Sequence, residues 1–357
     1  MNGRVNELAE AADHLLHLPY ETWHYGDSVG FEALLAATNI TGDARYGAFA
    51  HGFFRAWASR AQPYHALDYT APGLAMTLVA EKTGDSRLLA AIIRLADHLS
   101  GRRRVRNVFE TWAQSPLRQP YGPERLSPAE AALLCNPGAG IFVDCLHFDP
   151  PFFAALGRVT GQARFTEIAI EQALGYIALL QDPASGLFHH FWLENTGRPH
   201  ILGWGRGQGW ALLGLLDVLE QIGDFEQRGE ISASMQRLAS AMQSRQRADG
   251  HWFTVVHDPR SGDESSTAAF MTAAFFRGHA LGVLDDSYVE PAARARAALR
   301  AACDDNGVLT GVSAAVWAST LPAHYAHVPR GFLVPWGQGP LVLALAQAIE
   351  AKDRGGG

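Results

Sequence analysis

Two aspartates sit where a carboxyl group could do proton chemistry. Asp144 lies in FVDCLHFDPPFF and Asp68 in HALDYTAP, each among apolar residues close to the start of a helical pattern. Such a carboxyl has two readings. It is an N-cap that accepts from free amides of the first helical turn, or a partly desolvated acid whose raised pKa suits proton exchange near neutrality. Two of them in one site would hold a proton on one member. Asp149 and Asp27 are weaker candidates and read as turn or capping residues. Arg206, in WGRGQGW between Trp204 and Trp210, is either a stacked structural arginine or a fork for a carboxylate. His190, in GLFHHFWLEN, is either a satisfied buried imidazole or a group for substrate hydroxyls. There is no HExxH, no Cys/His cluster and no phosphate-binding glycine loop, so neither a metal nor a cofactor is expected. GRGQG follows no strand pattern, which removes a dinucleotide reading.

These residues need elements to position them, and the chain supplies those by repetition. Apolar helices end in a short turn, often Gly-Asp, and a second helix follows at once: LLAATNITGDARYGAFA, MTLVAEKTGDSRLLAAI, FAALGRVTGQARFTEIA and LGLLDVLEQIGDFEQRG. Gly42, Gly84, Gly161 and Gly223 stand where a helix C-terminus favours positive φ, and Asp43, Asp85 and Asp224 can cap the next helix. Twelve helices are predicted near 5–17, 28–39, 43–60, 70–83, 86–100, 143–160, 164–181, 205–222, 225–247, 264–282, 288–303 and 338–351. Even-numbered ones are apolar nearly all round and odd-numbered ones amphipathic, as inner and outer layers require. The expected fold is all-α, an (α/α)6 barrel in one domain over 1–357, with 352–357 a disordered tail; an open α-solenoid is the alternative.

The loops divide by length. Tight hairpins join inner to outer helices. Longer outer-to-inner connections hold WHYGDS, PYHALDYTAPG, GIFVDCLHFDPP, WGRGQGW, GDESST and PWGQG. In a closed ring these six helix N-termini share one rim, whose free amides and dipole ends favour an anion. Trp23, Tyr25, Tyr64, Tyr69, Trp192, Trp204, Trp210 and Trp336 gather there, with His65 beside Asp68. Aromatic faces pack on pyranose C–H faces, so a carbohydrate carrying a carboxylate is the natural ligand class.

Composition sets the outer bounds. The 357 residues carry 29 basic and 36 acidic groups, a net charge of −7 with no long basic run, which argues against nucleic acid as partner. No stretch is apolar enough to cross a membrane. Cys135, Cys145 and Cys303 have no metal-ligand spacing and read as reduced thiols of a cytoplasmic protein. Oligomeric state is left open.

Taken in order, LDYTAPGLAMTLVAEKTGD, IFVDCLHFDPPFFAALGRVTG, GLFHHFWLEN with WGRGQGWALLGLLDVLE, and ESSTAAFMTAAF resemble the unsaturated glucuronyl and rhamnogalacturonyl hydrolases, glycoside hydrolase families 88 and 105. The resemblance runs over almost the whole chain and implies the same barrel. It further implies that Asp144 is the general acid/base and Asp68 its partner carboxylate, with His190, Arg206 and Trp210 binding an unsaturated, acidic oligosaccharide. Trp204, Tyr25, Trp23, His65 and Trp336 complete the expected binding set. Asp149-Pro150 and GRGQG depart from the usual family pattern, leaving galacturonyl or glucuronyl specificity open. Three rivals stand beside this reading. They are a glycosidase acting at the anomeric carbon, a sugar epimerase using a pair among His24, His65, His189 and His190, and a non-catalytic sugar-binding protein.

Overall fold

In the computed structural model, which describes residues 3–20, 23–60, 63–113 and 115–355, the repeated hairpins close into a double ring. The inner helices are α2 (Asp27–Thr41), α4 (Gly73–Thr83), α7 (Asp149–Thr160), α9 (Gly205–Gln221), α11 (Ser265–Ala280) and α13 (Pro335–Gly355). Each packs on the next, and α13 returns to α2, so the ring has no open end. The outer helices are α1 (Gly3–Leu15), α3 (Ala44–Ala58), α5 (Ser86–Ser100), α8 (Ala163–Leu180), α10 (Arg228–Gln243) and α12 (Val289–Ala302). The (α/α)6 barrel expected from the sequence is the fold, and the open solenoid is not.

Burial explains the two layers. Every residue from Gly205 to Leu219 in α9 is buried, as an inner helix flanked on all sides requires. In α5 only Leu88, Ala91, Ile92, Leu95, Ala96 and Leu99 are buried, a single stripe at helical spacing. Gly42, Gly84 and Gly161 take left-handed backbone at the helix ends, and the Asp43 and Asp85 carboxylates accept from the amides of Arg45 and Leu88. The fourth hairpin departs from this pattern. Helix α9 ends on extended Ile222, α10 has no side-chain cap from Asp224, and Arg228 donates to the carbonyls of Leu219, Ile222 and Gly223 instead.

Other boundaries also shift. Within the expected helix 143–160, Val143–Leu146 form a 3-10 turn and α7 starts at Asp149, because Pro150 and Pro151 belong in a first helical turn. The tail expected over 352–357 is helical through Gly355; residues 356 and 357 lie outside the described residues. Helix α6 (Pro128–Cys135) is an addition to the expected set, although its Ser127-x-x-Glu130 capping box is legible in the sequence. The strands are additions too: a hairpin of β1 (Arg104–Val105) and β2 (Val108–Phe109), and an antiparallel sheet ordered β3 (Trp112–Ala113), β4 (Ala139–Phe142), β5 (His189–Leu193), β6 (Arg198–Leu202). A second hairpin pairs β7 (Phe253–Val255) with β8 (Asp258–Asp263). No helix among the described residues is long and apolar enough to cross a membrane.

One close approach admits the loop that carries Asp144 into the ring. The 3-10 turn after β4 dips against α9 at Gly214, where a Cβ would stand 2.3 Å from the Leu146 carbonyl oxygen and 2.9 Å from the His147 Cα. Only a residue without a side chain admits that backbone. Gly214→Ala is therefore expected to lower the unfolding free energy by about 1–3 kcal/mol, measured by urea denaturation; a variant as stable as the parent would mean the turn can retreat freely.

Candidate active site

Sheet pairing brings the first two groups together. Asp144 follows β4 directly and His190 lies on β5, whose Phe191 is in register with Phe142. His190 Nε2 stands 3.7 Å from Asp144 Oδ2. The other ring nitrogen, Nδ1, is 2.5 Å from the hydroxyl of Tyr325, in the 3-10 turn Pro322–His327. Trp204, the residue before α9, packs on the imidazole with ring centroids 4.3 Å apart.

This environment is nearly dry, and it separates the two titrations. Burial pushes the Asp144 carboxyl up to about 6, against a weaker downward pull from its own backbone amide, Arg206 and His147. Burial, aided by the Arg206 charge, drives His190 down to about 3. Near neutrality the imidazole is thus uncharged while the carboxyl is poised to gain or lose a proton. If the Tyr325 hydroxyl donates to Nδ1, the imidazole proton sits on Nε2, facing Asp144. Asp144 keeps 12% of its side-chain surface, which leaves the carboxyl reachable.

Arg206 anchors the far wall. It is fully buried in the first turn of α9, and its Nη1 donates to Ser313 Oγ at 2.7 Å and to Glu264 Oε1 at 3.2 Å. Nη2 donates to the Ala314 carbonyl at 2.9 Å. Glu264 caps α11 through the Thr267 amide and accepts from the Ser313 amide as well. Most of the guanidinium fork expected to meet a substrate carboxylate is therefore already engaged, and its charge is paired. Its plane stacks near Trp204 and Trp336. Tyr25 stacks on Trp336 at 5.0 Å, and Trp336 Nε1 donates to the Ser313 carbonyl. The hydroxyl of Tyr25 and the ring N–H groups of Trp204 and Trp210, together with Arg206 Nε, have no protein acceptor. Burial holds the Tyr25 hydroxyl protonated far above its usual range.

Other expected site residues lie elsewhere. Trp23 is fully buried between α2 and α3, against Phe31, Phe53, Phe54 and Trp57; it is a core residue. Asp68 is also sealed, with no exposed surface. Its Oδ1 accepts from Arg60 at 2.5 Å and Trp57 Nε1 at 3.3 Å, and its Oδ2 from the His65 amide at 2.9 Å. All of these partners belong to the outer α3 end and its following loop, because the α3–α4 connection folds back on α3. His65 stays half exposed, 4.0 Å from Asp68. Asp149 forms a buried ion pair with Arg102 at 2.6 Å, where a capping role was expected. Of the four histidines an epimerase would draw on, His190 stands beside Asp144, His24 packs on Tyr25 and Trp336, and His189 points to the opposite face of β5. Tyr325, Glu264 and Ser313 were missed, since nothing local marks a residue recruited from some 50 to 135 positions away in sequence.

The raised Asp144 carboxyl has a measurable cost. An acid whose folded pKa lies above its unfolded value of 3.8 destabilises the fold when ionised; that cost is absent below about pH 4 and complete above about pH 6. Asp144→Asn should accordingly raise stability at pH 7.5 by up to about 3 kcal/mol, with the gain vanishing near pH 4. Equal stability of the two proteins at both pH values in chemical denaturation would contradict the desolvated carboxyl.

Comparison with known proteins bears on the fold and the family. The profile of Glycosyl Hydrolase Family 88 matches residues 2–352. The unsaturated rhamnogalacturonyl hydrolase YesR of Bacillus subtilis is 30% identical over 216 residues, which are 60% of this chain and 61% of that protein, so less than two thirds of the relative is spanned. A possible member of the GH105 family from Klebsiella pneumoniae superposes with a TM-score of 0.82 at 18% identity, over 98% of this chain and 94% of its own. The unsaturated glucuronyl hydrolase of Bacillus sp. GL1 gives 0.69 at 18% identity, over 97% and 96%. The structural likenesses speak to the barrel, and the profile speaks to descent along nearly the full length: this chain belongs to glycosyl hydrolase family 88.

Proposed function

We propose that the protein removes a 4,5-unsaturated uronic acid from the end of lyase-generated oligosaccharides, with Asp144 as the general acid and base. The observation that carries this reading is the reachable Asp144 carboxyl, raised by burial to about 6, beside an uncharged His190. The names of the relatives in the same family point to the same substrate class.

The substrate's C4=C5 bond is an enol ether conjugated to the carboxylate. Protonated Asp144 delivers its proton to C4; the π electrons form the C4–H bond, and positive charge develops at C5 and O5. Water then adds to C5 while the Asp144 carboxylate takes its proton, which regenerates the acid. The hemiketal so formed opens at the C5–O5 bond, and the hemiacetal left at C1 expels the remaining sugar. Positioned proton transfer of this kind contributes about 10²–10⁴-fold in rate. Tyr325 and Trp204 hold His190 in place as an uncharged ring beside the acid. Tyr25 and Trp336 offer the stacked aromatic wall for the sugar, and the unpaired N–H and O–H groups of Tyr25, Trp204 and Trp210 are the donors for its polar groups. Arg206 acts through its field and by fixing the wall, since its side chain is fully buried and its terminal N–H groups are engaged. Asp68 is a positioning residue that ties the α3–α4 connection through Arg60 and Trp57.

Unsaturated disaccharides from pectin, ulvan and glycosaminoglycans should lose their ultraviolet absorbance when incubated with the protein alone, whereas saturated analogues should not. Because the acid form is required, kcat is expected to fall as pH rises through about 6. Asp144→Asn should lose all but a trace of turnover while staying folded; near-parental turnover by that variant would reject the assignment. Asp68→Asn should instead lower the melting temperature and leave the shape of the pH profile unchanged, and a shifted profile would restore it to the proton chemistry.

A further inference from the structure

A second polar cluster lies inside the ring, and the proton chemistry above makes no use of it. Glu32 comes from the second turn of α2, His147 from the segment just before α7, and Asp217 from the fourth turn of α9. One ligand atom from each lies within 4.8 Å of the other two. His147 Nε2 is 3.2 Å from Glu32 Oε2 and 3.7 Å from Asp217 Oδ2. The His147 and Asp217 side chains are 0% and 2% exposed, and Glu32 is 11% exposed.

Three of the converging atoms are unpaired. His147 Nε2, Asp217 Oδ2 and Glu32 Oε1 have no hydrogen-bond partner, although two carboxylates flank the imidazole. A cation held between them would meet all three. In a tetrahedral site with bonds of about 2.0–2.2 Å, neighbouring donor atoms are about 3.3–3.5 Å apart. The observed 3.2 and 3.7 Å straddle that edge length. Glu32 Oε1 offers a fourth donor if the carboxylate binds through both oxygens.

The outer partners and the charge point the same way. Ser28 Oγ is 3.4 Å from His147 Nδ1, holding the far nitrogen as partners of ligating histidines commonly do. Beside the imidazole stand the carboxylates of Glu32 and Asp217 and one guanidinium, Arg277, which pairs with Asp217 Oδ1 at 2.5 Å and with the part-exposed Glu220. Buried carboxylates are costly unless they are compensated, and a cation shared by Glu32 and Asp217 would compensate them. One imidazole with two carboxylates suits a borderline transition metal; Ca²⁺ and Mg²⁺ take oxygen alone.

We propose that Glu32, His147 and Asp217 form a binding site for one divalent transition-metal ion of the zinc type, which ties α2, the segment before α7 and α9 together behind the turn that carries Asp144. Its role is structural, and it does not depend on the proposed substrate.

The test uses the full chain, stripped with a chelator and titrated calorimetrically with ZnCl₂ and separately with CaCl₂. One equivalent of Zn²⁺ is expected at a micromolar or lower Kd, with a rise in melting temperature and much weaker binding of Ca²⁺. Glu32→Gln and Asp217→Asn should each weaken Zn²⁺ binding at least about tenfold, the loss expected when a good ligand is removed. No stoichiometric Zn²⁺ binding, equal affinity for Ca²⁺, or undiminished binding by both variants would overturn the proposal. Should the variants fail to fold, Co²⁺ in the unaltered protein decides. Visible bands of a protein-bound ion at one equivalent support the site, and the spectrum of the hydrated ion overturns it.

Discussion

The contact between the 143–148 segment and α9 at Gly214 is the constraint on which the interior of the ring depends. Without a side chain at that position the 3-10 turn reaches into the barrel, and Asp144 and His147 enter together. The two residues then face different neighbours. Asp144 meets His190 and the mouth of the ring, and His147 meets Glu32 and Asp217. One backbone approach thus sets both polar clusters, and the four-stranded sheet holds the turn from the other side through β4 and β5.

The low dielectric of that interior is what gives these groups their chemistry. Removing water penalises the charged form of each group, so the same burial raises a carboxyl and lowers an imidazole. Asp144 and His190 show both effects side by side. The buried charge of Arg206 is compensated, because Glu264 pairs with it and Ser313 and Ala314 accept from its terminal N–H groups. A buried pair of that kind adds little net stability, but removing one partner is expensive. Here it also joins α9, α11 and the loop preceding α13, so the wall opposite Asp144 is assembled from three distant parts of the chain.

A mouth lined by helix N-termini would favour an anion, and the aromatic stack of Tyr25 and Trp336 would favour a sugar face. Yet the six connections do not contribute equally. The one between α3 and α4 turns outward, taking Asp68 into a sealed cluster with Arg60 and Trp57. The helix termini share a rim, but loop packing decides which side chains face inward.

The amino-acid sequence by itself determined the architecture. Gly-Asp punctuation, the alternation of wholly apolar and one-sided helices, and the long connections were enough for a closed ring, because those signals act within a few residues of one another. Asp144, His190, Trp204 and Trp210 were marked as chemical candidates by the same local reading. Only the tertiary structure decided that Asp144 stands beside His190 and that Tyr325 orients the ring. It also decided that Arg206 is paired with Glu264, that Trp23 and Asp68 are sealed from the cavity, and that Glu32, His147 and Asp217 converge. Each of those facts is a meeting of residues tens to hundreds of positions apart. Burial and pairing arise from such meetings, so no window of sequence contains the information that fixes a pKa or fills a hydrogen bond.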